Sequence, residues 1–363
     1  MLPTLPVKNS CTLSANSNAA SRADLSKKVV IYTPTFSRSA GTRYRVEMMQ
    51  KALSGSYNVQ LICDKEEVLL REIYKLGGPY LLSHNIAWKK AGKRIANIVA
   101  KESPDVAILM LDAAAGAIPQ LQSQGIRTIL SVEGLTPEWL DARNSSQIYR
   151  IFTSYAKQAD GNITVSHQLR ERLSSMGIES AVIPIGLGKI RISREEALAR
   201  LSRPKAILHA GQIQFKEELD AFGSVASALA GKCPLWSYSF GRYAERLRQQ
   251  YPGISWYNYQ SEEDAVGEIS KIPIGLIIRF RAYSPSRLFF NASMLQPVIA
   301  IGNDWVDEVK DKRIGVVSEP SHVYEAAESI MADYPSYVSA MERFASENIL
   351  DRAYAPLIRM IGQ

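Results

Sequence analysis

The chain has 363 residues, of which 46% are hydrophobic and 22% are charged, and its net charge is +7 at pH 7. This length exceeds one ordinary hydrophobic core and favours two domains, and the composition excludes a chain that is disordered throughout. No run of eighteen or more apolar residues occurs, so we expect no membrane-spanning helix. The excess of positive charge favours anionic partners.

The cysteines and histidines form no recognisable metal-binding or disulfide pattern. The three cysteines and four histidines are widely spread, at positions 11, 63 and 233 and at positions 84, 167, 209 and 322. Because neither set has zinc-ligand or framework spacing, we expect no metal site of that kind and a reducing, cytoplasmic compartment. Residues 1–26 are rich in Ser and Asn and lack the apolar core of a secretory signal, so they are predicted to be a flexible tail.

Strands and helices are predicted to alternate along the first half of the chain. Apolar, β-branched runs predict strands at 27–36, 58–64, 105–112, 127–134, 161–166 and 180–186. Amphipathic stretches predict helices between them, at 43–55, 86–104, 115–126, 144–160 and 167–178. Such alternation is typical of a parallel sheet covered by helices on both faces. It predicts an N-terminal domain over 27–187.

The second half repeats this alternation after a charged stretch, 188–204, which is predicted to be a linker. Strands are expected at 204–211, 234–241, 254–259, 274–280, 297–302 and 314–319, each followed by a helix. This predicts a C-terminal domain over 205–345, and we expect a last helix over 346–363 to pack back on the N-terminal domain. The fold class is therefore predicted to be α/β, with two Rossmann-like doubly wound domains that face a cleft.

Residues that directly follow strands are the candidates for a site, because ligands of such sheets bind beyond the carboxyl ends of the strands. The first strand is followed by Arg38, Gly41, Thr42 and Arg43, which could hold an anion at a helix start or form a polar turn. The strand at 127–134 ends at Glu133, which could be a general base or a salt-bridged acid.

Basic residues follow two strands of the second half. After the strand at 204–211, Gly211 lies at the turn and Lys216 at the helix start, where a lysine suits a diphosphate. The strand at 274–280 is followed by three arginines, Arg279, Arg281 and Arg287. Arginine suits bidentate phosphate contact, so these predict an anion site, although a solvated cluster is the plainer interpretation.

Four stretches together resemble the GT-B nucleotide-sugar glycosyltransferases, over roughly residues 28–345. They are ADGNITVSHQLRERLSSMGIESAVIPIG (159–186), ILHAGQIQFKEELDAFGSVASALA (207–230), SPSRLFFNASMLQPVIAIG (284–302) and DWVDEVKDKRIGVVSEPSHVYEAAESIM (304–331). The resemblance implies transfer of a sugar from a nucleoside-diphosphate donor, UDP- or GDP-linked, to a glycan or lipid-linked acceptor. It implies neither a metal nor a further cofactor.

The resemblance also implies roles for individual positions. Lys216 and Arg287 stand where the family contacts the donor diphosphate, and Pro285 and Ser286 stand in the loop before Arg287. Glu133 follows the strand where the family places its base or a sugar-contacting residue. As a base it would serve an inverting enzyme, and as a sugar contact it would serve a retaining one.

Several positions depart from the family pattern. The acid that grips the donor ribose is replaced by Phe290, and four other motif positions differ: Gln212, Leu295, Ile185 and Gly188. The nucleotide could therefore be held differently, through Arg279 and Arg281. The alternatives are a catalytically silent scaffold or binding subunit, and a sugar-nucleotide epimerase.

The helix at 86–104 is basic and amphipathic, with Trp88, Lys89, Lys90, Lys93 and Arg94. It predicts either peripheral contact with an anionic membrane at its inner face, close to a lipid-linked acceptor, or a solvated face with a packed tryptophan. Nucleic acid is not expected as a partner, because the basic residues do not form a recognisable binding module.

Overall fold

The computed structural model describes residues 27–34, 40–63, 81–135, 138, 145–257, 262–303 and 305–363. Six strands belong to the N-terminal half: β1 (Lys28–Thr33), β2 (Asn58–Cys63), β3 (Val106–Met110), β4 (Arg127–Val132), β5 (Gly161–Thr164) and β6 (Ala181–Val182). Six belong to the C-terminal half: β7 (Ile207–Gln212), β8 (Leu235–Phe240), β9 (Ser255–Trp256), β10 (Ile274–Arg279), β11 (Val298–Gly302) and β12 (Gly315–Val317). The predicted N-terminal tail lies outside the described residues.

The helices connect these strands. In the N-terminal half they are α1 (Ala40–Leu53), α2 (Leu81–Ala100), α3 (Ile118–Gln122), α4 (Ser145–Ala156) and α5 (His167–Ser175), with a 3-10 turn at Asp112–Ala117. The C-terminal half has α6 (Arg194–Leu198), α7 (Lys216–Leu229), α8 (Ala244–Gln250), α9 (Glu262–Ile269), α10 (Ser286–Ser293), α11 (Val306–Asp311), α12 (Val323–Ala332) and α13 (Tyr334–Glu347). The chain ends with α14 (Leu350–Ala353) and α15 (Ala355–Gly362).

The described strands form two separate parallel sheets. The N-terminal sheet has the order β2-β1-β3-β4-β5-β6, and the C-terminal sheet has the order β12-β11-β10-β7-β8-β9. The second order reverses direction between β7 and β10, which pair in parallel. A crevice opens outside the carboxyl ends of the strands at such a reversal, and it is the usual ligand site of doubly wound sheets. The predicted α/β class with two Rossmann-like domains is confirmed.

The chain passes between the two sheets twice. After β6 it runs through 183–193, the first crossing, and Arg191 N then donates to Ser293 O at 2.7 Å. It returns through 348–349, the second crossing, where Leu187 and Ile349 form a parallel bridge. α14 and α15 then pack on the N-terminal sheet, because Tyr354, Leu357 and Ile361 share its apolar cluster with the inner residues of β1.

Arg200 fixes the end of the predicted linker to the C-terminal domain. Its guanidinium is fully buried, and it donates to the carbonyls of Ser270 at 2.7 Å and Met294 at 2.9 Å. Carbonyl acceptors satisfy the buried cation at the turn that follows α10. The linker stretch also contains α6, which begins at a capping box formed by Ser193 and Glu196.

Two of the predicted strands are reduced to two residues each. The run 180–186 is a strand only at Ala181–Val182, because Gly186 has φ 76° and turns the chain into the first crossing. The run 254–259 is a strand only at Ser255–Trp256. Its last two residues lie outside the described residues.

Candidate functional site

Arg279 and Glu218 form an ion pair at the reversal point of the C-terminal sheet. Arg279 ends β10, and its Nη1 lies 2.7 Å from Oε1 of Glu218 in the first turn of α7. The Glu218 side chain is 1% exposed, and its Oε2 also accepts the backbone N–H of Gln214 at 2.8 Å. A buried carboxylate needs such compensation, so the charge of Arg279 neutralises Glu218. Arg279 thus has a structural partner, and its contact with the donor stays a prediction.

Arg281 is also engaged by a neighbouring acid. Its Nη2 lies 2.6 Å from Oε1 of Glu217, and its guanidinium lies 4.5 Å from the ring centre of Phe215. Glu217 is half exposed, so this pair is weaker than the buried one. Together the two arginines hold the loop before α7 against the end of β10. That both arginines hold the nucleotide stays a prediction, because each already pairs with a glutamate of α7.

Lys216 and Arg287 have no carboxylate partner within the described part of the chain. Lys216 is exposed in the first turn of α7, and Arg287 is half-buried in the first turn of α10. Among the described residues no carboxylate pairs with either of them. Because α7 follows β7 and α10 follows β10, both side chains start from the two sides of the crevice. The N-terminus of α10, at Ser286, adds the positive end of a helix dipole to that edge.

His209 lies under this crevice on β7. Burial and the guanidinium groups of Arg287 and Arg279 lower its pKa to about 3, so the imidazole is neutral at physiological pH. Its Nδ1 lies 2.9 Å from the hydroxyl of Ser239. Ser284, three residues before Arg287, has a buried hydroxyl without a hydrogen-bond partner among the described residues. Gly211 is buried beside His209, and a Cβ built on it would make only ordinary contact, at 3.9 Å.

Phe290 stands where the family has its ribose-binding acid, and its surroundings are apolar. It packs against a cluster that contains Leu208, Tyr238 and Ile269. The guanidinium of Arg287 lies 5.5 Å from its ring centre. This contact orients Arg287 through a cation–π interaction and supplies no oxygen to a ribose.

Glu133 lies directly after β4, at the carboxyl edge of the N-terminal sheet. Its side chain is 13% exposed, and burial raises its pKa to about 7 although Arg45 opposes this shift. A carboxyl group with a pKa near neutrality can exchange a proton with a substrate hydroxyl. The side chain predicted to be a general base thus has a pKa that suits this role.

The loop after β4 reaches the loop that precedes Arg287. The hydroxyl of Tyr283 donates to Oε2 of Glu138 at 2.6 Å, and the hydroxyl of Tyr149 donates to Oε1 at 3.0 Å. Glu138 comes five residues after Glu133, and Tyr283 comes four residues before Arg287. This contact between the domains brings the segment that follows Glu133 and the loop before Arg287 to the same region.

The predicted anion loop is largely helical. Arg38 lies outside the described residues, whereas Gly41, Thr42 and Arg43 lie in the first turns of α1. Thr42 is buried, and Nε of Arg43 lies 2.9 Å from Oε1 of Glu47 one turn later. Arg43 is therefore paired along its own helix.

Trp88 is fully buried in the core of the N-terminal domain, so it is a packed tryptophan and does not reach a membrane. The rest of α2 has an exposed basic face. This basic stripe consists of Ile86, Lys89, Lys90 and Lys93, spaced three, four and seven residues from the first. None of the helices in the described ranges combines the length and apolar character that crossing a bilayer requires.

No sequence pattern indicated that several residues of this region contribute to the candidate site. Arg45 and Glu218 looked like ordinary helix residues, and Glu138 and Tyr283 carried no motif. Within the described ranges no three His, Cys, Asp or Glu side chains are grouped so that they could hold a metal ion.

Solved structures share this architecture. An E. coli trehalose-6-phosphate protein bound with UDP-2-fluoro glucose matches 93% of this chain and 99% of its own, with a TM-score of 0.65 and 12% identity. The match to the lipopolysaccharide outer core galactosyltransferase WaaB covers 93% of this chain and 99% of WaaB, with a TM-score of 0.59 and 14% identity. The match to a Listeria monocytogenes protein described as a UDP-N-acetylglucosamine 2-epimerase covers 92% of this chain and 95% of that protein, with a TM-score of 0.58 and 13% identity.

These likenesses confirm the GT-B fold over nearly the whole chain. A scan against models of known protein families finds no match, and no curated protein matches the sequence. Since both transferases and an epimerase share the fold, the chemistry has to be argued from the residues of this chain.

Proposed function

We propose that the protein is a nucleotide-sugar glycosyltransferase, which moves a sugar from a UDP- or GDP-linked donor to a hydroxyl of a glycan or lipid-linked acceptor. One observation carries the proposal. Lys216 and Arg287, which have no carboxylate partner among the described residues, flank the crevice of the C-terminal sheet, while the facing loop starts at a buried acid, Glu133, with a pKa near neutrality. The E. coli neighbour, which was solved with a UDP-sugar analogue, supports the donor class.

The chemistry follows from these groups. The acceptor hydroxyl attacks the anomeric carbon, the bond from that carbon to the diphosphate oxygen breaks, and the hydroxyl proton passes to the Glu133 carboxylate. Charge develops on the departing diphosphate, and the fixed cations Lys216 and Arg287 stabilise it together with the N-terminus of α10. Glu133 as the base predicts an inverted product, which NMR of the anomeric proton would identify.

Nucleotide binding tests the donor site directly. We expect UDP or GDP to raise the melting temperature of the protein, and Arg287→Met or Lys216→Met to weaken that binding by about 10–100-fold, since hydrogen bonds to charged groups contribute about 1.5–3 kcal/mol. Isothermal titration measures the affinity. Arg343→Met is the matched control, because Arg343 is exposed on α13. Equal affinity in the wild type and Arg287→Met would place the nucleotide elsewhere.

Phe290 favours one competing function. Without a carboxylate at this position the chain could be a silent subunit that serves a true transferase. A protein that responds to no nucleoside diphosphate would support this alternative. The Listeria neighbour raises epimerisation as a third candidate, which incubation with UDP-N-acetylglucosamine and no acceptor would reveal as a new sugar epimer.

The basic stripe of α2 is proposed to bring the cleft to an anionic membrane that carries the acceptor. Each lysine near such a surface contributes about 1 kcal/mol, so changing Lys89, Lys90 and Lys93 to Gln should lower binding to phosphatidylglycerol vesicles by about 100-fold. Vesicle sedimentation measures the bound fraction, with phosphatidylcholine vesicles as the uncharged reference. The control is a triple variant in which Lys232, Lys271 and Lys310 are changed to Gln, because it removes the same charge from exposed sites elsewhere. Equal losses in both triple variants would argue against the stripe.

A further inference from the structure

Arg45 of α1 is a fully buried cation that no sequence pattern marks. Its Nη1 donates to the carbonyl of Pro184 and, at 3.0 Å, to the hydroxyl of Tyr354. The guanidinium also lies 5.2 Å from the ring centre of Tyr354. Tyr354 in turn donates to the carbonyl of Ile185 at 3.0 Å. A buried charge requires such partners, so the place of this side chain is closely determined.

The opposite side of the guanidinium faces Glu133. Nε of Arg45 lies 3.8 Å from Oε1 of Glu133. Among the described residues, Nε and Nη2 of Arg45 and Oε1 of Glu133 have no hydrogen-bond partner. Nε and Nη2 are the fork that matches the two oxygens of a carboxylate. Nε thus stands opposite an unused acceptor at a distance slightly too long for a hydrogen bond, and Nη2 is a second unused donor of the same guanidinium.

The anchors of Arg45 belong to the segments that join the domains. Pro184 and Ile185 lie in the first crossing, and Tyr354 follows the second crossing by five residues. The two crossings touch each other where Leu187 pairs with Ile349. Arg45 therefore connects the acid at the end of β4 with the backbone through which the two domains are attached.

We propose that Arg45 is the positioning residue of Glu133: held by the first crossing at Pro184 and by Tyr354, it fixes the carboxyl group at the strand end and closes a forked ion pair when the carboxylate forms. The role as an aid to proton removal rests on the proposed transferase function. The link between the two side chains does not, because it can be measured without donor or acceptor.

The electrostatic surroundings of Glu133 define what should be measured. Among the described residues, the charged and titratable groups that act on it are Arg45 from α1 and Tyr354 from the C-terminal segment, and Tyr44 lies close to Tyr354. Burial raises the pKa of Tyr354 to about 12, so its hydroxyl stays neutral and can hold Nη1. Arg45 is thus the group that favours the ionised form of Glu133.

The test is a titration of the Glu133 carboxyl group, followed by NMR of carbon-13-labelled glutamate side chains. The signal of Glu133 is assigned as the one that disappears in Glu133→Gln. The wild-type midpoint is expected near 7. Arg45→Gln and Arg45→Met remove the charge and should raise the midpoint by at least about one pH unit, since an opposite charge at this range lowers an acid's pKa by about 1–3 units. Arg45→Lys retains a charge without the fork and should give an intermediate midpoint.

Two results would overturn the proposal. One is a folded Arg45→Gln protein with the wild-type midpoint. The other, decisive if both neutral variants fail to fold, is an unchanged midpoint in Arg45→Lys, because a lysine cannot form the fork. A shifted midpoint in a protein that transfers no sugar would remove the transferase proposal and leave the role of Arg45 intact.

Discussion

Glu133→Gln is expected to lower the turnover of sugar transfer by about 10²–10⁴-fold, because positioned general bases contribute rate factors of this size. Glutamine preserves the size of the side chain but cannot accept the hydroxyl proton. Donor affinity should change little, since Lys216 and Arg287 remain in place. Transfer from a labelled donor, measured beside nucleotide binding in the same protein, separates the two effects.

The pH dependence provides an independent signature of Glu133. The folded pKa of about 7 lies above the ordinary value of an exposed glutamate, so the carboxyl group is protonated and inactive as a base below pH 7. The rate should rise about tenfold for each pH unit below 7 and level off above it. The native state also holds this proton more tightly than the unfolded chain, so its contribution to stability falls as pH rises from about 4.5 to 7.

The matched control is Glu179→Gln, which changes an exposed acid of the same domain. It should leave both the rate and its pH profile unchanged. A Glu133→Gln protein that keeps wild-type turnover with an intact alkaline plateau would show that another group takes the proton. A lowered rate with a retained product configuration would instead favour Glu133 as a sugar contact.

The fold could be predicted because its signals are local. Each buried strand is an apolar run in the sequence, and each helix between strands has its own periodicity, so the two sheets follow from short windows. The edge on which the candidate residues lie was also predictable, since Glu133 directly follows β4 and Lys216 begins the helix after β7. The partners of these residues were not, because they come from distant parts of the chain.

Arg279 shows why the candidate site needed the structure. Its carboxylate partner, Glu218, is separated from it by 61 positions, and the pair exists because β7 and β10 are neighbours in the sheet. Arg45 and Tyr354 are separated by 309 positions. A count of arginines after a strand cannot distinguish one that neutralises a buried acid from one that is left for a ligand.

Leu295 shows that a departure from the family pattern can preserve its geometry. The family has glycine here, and Leu295 has a φ of 46°, in the left-handed region that glycine favours. Its side chain is 1% exposed, and Arg200 holds the carbonyl of the preceding residue, Met294. Burial and this anchoring maintain a backbone that costs roughly 1–2 kcal/mol in a residue with a side chain. Phe290, by contrast, changes the chemistry of its position.

Arg279→Met is expected to destabilise the protein by about 3–5 kcal/mol, because it leaves Glu218 buried and uncompensated. Arg281→Met is the matched control. Its partner Glu217 is 45% exposed, so we expect a loss below about 1 kcal/mol. Urea unfolding, analysed with a shared slope, measures both changes.

The double variant Glu218→Gln with Arg279→Met separates charge from packing. Glutamine keeps an oxygen that can accept the N–H of Gln214, and both buried charges are gone, so much of the lost stability should return. The folded fraction of Arg279→Met should still bind nucleotide, whereas Arg287→Met should remain stable and bind poorly. An Arg279→Met protein as stable as the wild type but unable to bind nucleotide would place Arg279 in the donor site, because its charge would then serve the diphosphate and not the buried acid.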